Sequence, residues 1–72
     1  MYRADIRLDT MSDINKFLAI TQSIETPVVV EDCAGHRVNA KSLLGMLYAM
    51  EFNHLYLVCD KDESSRFSEF LL

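Results

Sequence analysis

Glycine is scarce in this 72-residue chain, with only Gly35 and Gly45 present. That excludes a glycine-rich nucleotide loop, which needs several glycines so that backbone can approach phosphate closely. Cysteine occurs twice, at Cys33 and Cys59. Two cysteines do not make the disulfide framework of a small secreted protein, and a free cysteine packs as a small hydrophobe. Basic residues are also few: seven Lys and Arg against eleven Asp and Glu, for a net charge of −4. The densest basic grouping is Arg37 with Lys41. Nucleic acid demands a basic face to offset phosphate charge, so direct DNA or RNA binding is not expected. No apolar run approaches the roughly 20 residues of a membrane span. The opening Met1-Tyr2-Arg3-Ala4-Asp5 lacks the apolar stretch of a signal peptide. These absences favour a cytoplasmic protein with no membrane partner.

What is present is a globular composition, 50% hydrophobic and 25% charged. The length suits a single domain over residues 1–72. Its core must be thin, because a chain this short buries only roughly 60% of its unfolded surface.

Residues 2–8 alternate, with Tyr2, Ala4, Ile6 and Leu8 on one side and Arg3, Asp5 and Arg7 on the other. That pattern is a strand with one buried and one wet face. Thr10 with Asp13 forms a capping box for a helix over 11–24, whose Ile14, Phe17, Leu18, Thr21 and Ile24 recur at helical spacing. Pro27 opens a β-branched strand, Val28-Val29-Val30. Asp32-Cys33-Ala34-Gly35 reads as a hairpin loop returning through Arg37-Val38-Asn39. A second helix carries Leu43, Leu44, Met46, Leu47 and Met50, and a fourth strand covers Leu55 to Cys59. After the polar turn Asp60-Lys61-Asp62, a last short helix bearing Phe67, Phe70 and Leu71 is expected. The order is β-α-β-β-α-β-α, an α+β fold with helices on one face of the sheet and the other face open.

The segment Gly35-His36-Arg37-Val38-Asn39-Ala40-Lys41-Ser42-Leu43-Leu44-Gly45 resembles the region around the regulatory serine of histidine-containing phosphocarrier (HPr) proteins of the sugar phosphotransferase system. There a hairpin glycine leads into V-N-A-K-S, two hydrophobic residues and a glycine. The resemblance implies an open-faced β-sandwich with a four-stranded antiparallel sheet in order 1-4-2-3 and three helices on one face.

The family's other motif is missing. Its G-[IL]-H-A-R-P sequence supplies the histidine that takes phosphate from enzyme I. Counting back from Ser42, the histidine position falls on Met11, the arginine on Asp13 and the proline on Ile14. A phosphohistidine at a helix N-terminus needs a nucleophilic imidazole, free N–H groups and a cation. Met11 is no nucleophile toward phosphate, and Asp13 reverses the local charge. No catalytic residue and no cofactor are therefore assigned.

Ser42 stands where a helix begins, which by itself suits a capping serine worth ~1 kcal/mol. The resemblance implies a second role, since the family's serine there is phosphorylated by HPr kinase/phosphorylase. A phosphate suits a helix N-terminus, and Lys41 and Arg37 are close in sequence. Leu43, Leu44 and Leu47 fall where the family has an apolar docking surface. Spacing alone puts Leu43, Met46, Leu47 and Met50 on one core face, leaving Leu44 and Tyr48 on another.

The leading expectation is a non-enzymatic regulatory adaptor docking through Leu43, Leu44 and Leu47, gated by Ser42. Its protein partner would be HPr kinase/phosphorylase or a transcriptional regulator. Family members that lack the histidine and keep the serine act as corepressors of a catabolite control factor. The alternatives are a phosphocarrier using His36 or Ser12 as acceptor, or a diverged structural module. Cys33 and His36 form a single C-x-x-H, short of the four ligands zinc needs, and no metal site is expected.

Overall fold

Alternation starts the fold. In the computed structural model, which describes residues 1–72, the chain runs β1 (Tyr2–Ile6), α1 (Met11–Thr21), β2 (Val28–Glu31), β3 (Arg37–Asn39), α2 (Leu43–Ala49) and β4 (Leu55–Cys59). The strands form one antiparallel sheet in order β1-β4-β2-β3. Ile6, Val28, Val30, Leu55, Leu57 and Cys59 share one core with Ile14, Phe17 and Leu18 of α1 and with Met46 and Ala49 of α2. Both helices therefore cover the same face, as in an open-faced sandwich.

Local chemistry sets the α1 boundary. Thr10 accepts a hydrogen bond from the Asp13 N–H (3.1 Å), and the Asp13 carboxylate accepts in return from the Thr10 N–H (3.2 Å). Both halves of the capping box are present, satisfying helix N–H groups that have no partner within the helix. The helix stops at Thr21, three residues short of the expected end, although Ile24 still reaches the core.

The hairpin turns at Asp32. Its carboxylate accepts from the Ala34 and His36 N–H groups at 2.9 and 2.8 Å, and Gly35 takes φ +95°, a region side chains disfavour. Gly45 has a different reason to be glycine. A Cβ there would lie 2.9 Å from the Asn39 carbonyl oxygen, so the glycine lets α2 sit directly on the end of β3.

The expected third helix does not form, leaving two. Residues 63–70 instead make separate turns, closed by Arg66 N–H to Glu63 O (2.9 Å) and Phe70 N–H to Phe67 O (2.8 Å). The Asp62 carboxylate takes the Ser64 N–H, and Ser64-Ser65 are poor helix formers. The segment buries Phe67 and Phe70 against Phe17, then runs extended beside β1. There Leu71 bridges Ile6, Arg7 N–H donates to Phe70 O, and Leu72 N–H donates to Asp5 O. These bonds cover the Asp5–Ile6 end of β1, an otherwise unpaired sheet edge. No helix is long and apolar enough to cross a membrane.

Candidate functional site

The residues singled out by sequence separate into three places. Met11 opens α1 and is exposed. Ser42 caps α2 at the far end of the helical layer, beside the last turn of α1, where Gln22 Nε2 donates to Lys41 O. Its Oγ accepts the Gly45 N–H at 3.1 Å, an ordinary capping bond. The two cations near it in sequence are engaged elsewhere. Lys41 Nζ donates to the Ile24 carbonyl, and Arg37 pairs with Glu31 at 3.1 Å on the open face of the sheet.

Helix α2 departs from the expected face assignment. Met46 and Ala49 alone are buried, while Leu43, Leu44 and Leu47 are 49, 77 and 40% exposed. Tyr48 and Met50 are exposed too. The helix has only seven residues and rests on β2 and β3 through its Met46–Ala49 stripe. One such stripe is all that a two-turn helix can bury against a single surface. The result is a contiguous apolar surface built from one short helix.

His36 lies in the hairpin, and its partnership with Asp32 is one that sequence reasoning misses. Its Nδ1 sits 2.7 Å from Asp32 Oδ2, and its ring stacks on Phe52 at 5.7 Å. The one signal along the chain is the four-residue spacing across a glycine turn. The Asp32 carboxylate fixes the orientation of the imidazole ring. Asp32, Ala34, His36, Tyr48, Glu51 and Phe52 line one shallow cleft, together with Asn53.

The open sheet face is organised by register. One row runs Arg3, Val58, Val29, Asn39, and the next Asp5, Tyr56, Glu31, Arg37. Arg3 lies over the Tyr56 ring at 3.9 Å, and Glu31 sits between Arg3 and Arg37. His54, just before β4, meets Asp5 at 3.2 Å and packs against Tyr56. These are satisfied cross-strand pairs. Cys33 is exposed and Cys59 buried, both unpaired, and no three His, Cys, Asp or Glu side chains converge as metal ligands.

Three carboxylates are held below their usual 3.8. The Asp9 N–H lowers Asp13 most, opposed by partial burial and helped by the Thr10 groups. Partial burial pushes Asp32 up, but hydrogen bonds from the His36 ring and from the His36 and Ala34 N–H groups outweigh it. The Ser64 side chain and N–H lower Asp62. Because the folded values are depressed, their stabilisation is complete above the unfolded value and is lost as pH falls through the folded ones. The urea midpoint should stay flat from about pH 7 to about pH 5 and fall steadily below about pH 4. Asp32→Asn should lower the midpoint at neutral pH and flatten the acid limb. A wild-type midpoint that holds into the acid range would contradict the assignment.

No protein-family model, curated protein or solved structure matches this chain.

Proposed function

We propose that the chain is a non-catalytic, HPr-like regulatory adaptor of the cytoplasm that docks the outer face of α2 on a protein partner. The observation that carries the reading is Leu44, 77% exposed between the exposed Leu43 and Leu47. An apolar surface rimmed by polar residues marks an interaction site more often than chance exposure does. Ser42 supplies the gate in this reading. A phosphate on its Oγ would replace the capping bond to Gly45 and add about −1.5 to −2 charges beside Leu43. Two unpaired cysteines accord with a reducing compartment.

Phosphotransfer through His36 is the second reading, favoured by the carboxylate that orients its ring. Its surroundings oppose it. The cleft holds Asp32 and Glu51 but no lysine or arginine, so a phosphoryl group would meet negative charge without a cation.

Two incubations followed by peptide mass spectrometry test the proposal. With HPr kinase and ATP, one phosphate is expected on Ser42. Leu44→Asp should cut the kcat/KM of that reaction about tenfold, the effect of losing ~1.4 kcal/mol of docking energy, with unchanged circular dichroism. With enzyme I and phosphoenolpyruvate, no acid-labile phosphate is expected, and its appearance on His36 or Ser12 would establish a carrier instead. An unmodified Ser42 would remove the gate.

A further inference from the structure

Leu44, Leu47 and Tyr48 follow at i, i+3 and i+4 and form one apolar stripe on the outside of α2, and Glu51 lies in the turn just past the Met50 cap, its N–H bonded to the Tyr48 carbonyl. Glu51 is exposed and takes part in none of the seven ion pairs of the chain. Beside it the Tyr48 and Phe52 rings meet edge to face at 5.7 Å, and both border the shallow cleft described above. Aromatic faces attract cations. Neither lysine nor arginine lines the cleft, and its one basic group, His36, is already paired with Asp32. The whole chain carries −4, so a basic partner is favoured over a second copy.

We infer that the segment docking on α2 is amphipathic and basic. Its leucine-type side chains cover Leu44 and Leu47, and a lysine or arginine one helical turn further on seats against Glu51 and the Tyr48–Phe52 pair. This inference rests on the docking reading above and adds the charge of the partner to it.

Selection of a random dodecapeptide phage library on the immobilised full chain tests it, with the enriched peptides then titrated in solution. Enriched peptides should combine leucine-type residues with a lysine or arginine three or four positions away. Leu44→Asp should abolish their binding. Glu51→Gln should weaken it about three- to fivefold, the size of an exposed ion pair, and the difference should shrink as salt is raised. Peptides lost with Leu44→Asp but indifferent to Glu51→Gln, or enriched in acidic residues, would overturn the inference and leave the docking surface standing. Peptides indifferent to Leu44→Asp, or no enrichment at all, would overturn both. Sedimentation of the free chain completes the test: a dimer dispersed by Leu44→Asp would assign the face to a second copy and overturn the basic partner.

Discussion

Phe67→Ala should lower the unfolding free energy by about 3–5 kcal/mol, as expected for removing a buried ring that its surroundings cannot collapse around. A domain of this length has roughly 4–11 kcal/mol in total, at about 0.05–0.15 kcal/mol per residue. The single change therefore removes a large share of the stability. Phe67 is fully buried, with its ring 5.3 Å from Phe17, which also meets Phe70 edge-on at 5.8 Å. The three rings join α1 to a segment that has no helix or long strand of its own to hold it. Urea unfolding followed by far-UV circular dichroism measures the loss. Phe67→Leu, which keeps most of the volume, should cost about 1.5 kcal/mol or less. A loss below about 1 kcal/mol for the alanine variant would mean that the C-terminal segment packs only loosely, contrary to the burial of the ring.

The second large effect is expected at Thr21, the one buried polar residue. Its hydroxyl lies 2.8 Å from the Ala40 carbonyl and 3.2 Å from that of Leu18. The Ala40 carbonyl has no other hydrogen-bond partner, since α2 begins only at Leu43. Thr21→Val keeps the shape and strands that carbonyl in the core, at a cost of about 1–3 kcal/mol. Thr21→Ser keeps the hydroxyl and loses one methyl group, about 0.8 kcal/mol of burial. The order of the two variants is the discriminating result in a urea titration. Valine as well tolerated as serine would show that packing, not the hydrogen bond, ties the end of α1 to the approach to α2.

Sequence reasoning reaches the elements where one periodicity prevails. Alternation in Tyr2–Leu8, the β-branched run at Val28, the Thr10–Asp13 capping box and the hairpin glycine each correspond to the structure, because each is decided by neighbours along the chain. The third helix fails because Phe67 and Phe70, spaced three apart, suit a helix face and a pair of single turns equally. The tertiary space they fill beside Phe17, together with the weak helix propensity of Ser64-Ser65, decides between the two. The face of α2 escapes sequence reasoning for a related cause: spacing says which residues line up, and the area of the opposing surface says how many are covered. The Asp32–His36 pair and the Arg3–Glu31–Arg37 row depend on turn geometry and register, which composition does not carry. Spacing alone sets Leu44 off the core face, but for Leu43 and Leu47 the residues can be named from sequence and their exposure cannot.

The arrangement of the sheet bears on how the chain can come to fold. Strand β4, formed by residues 55–59, lies between β1 and β2, and Leu71 then closes against Ile6. An emerging chain that ends before β4 leaves β1 without a neighbour and β2–β3 as an isolated hairpin, a unit barely stable in water. Productive assembly of the sheet is thus deferred until residues 55–59 have left the ribosome. Because β1 then joins a strand some fifty residues downstream, this small protein belongs with the slower folders of its size, where closing long loops limits the rate.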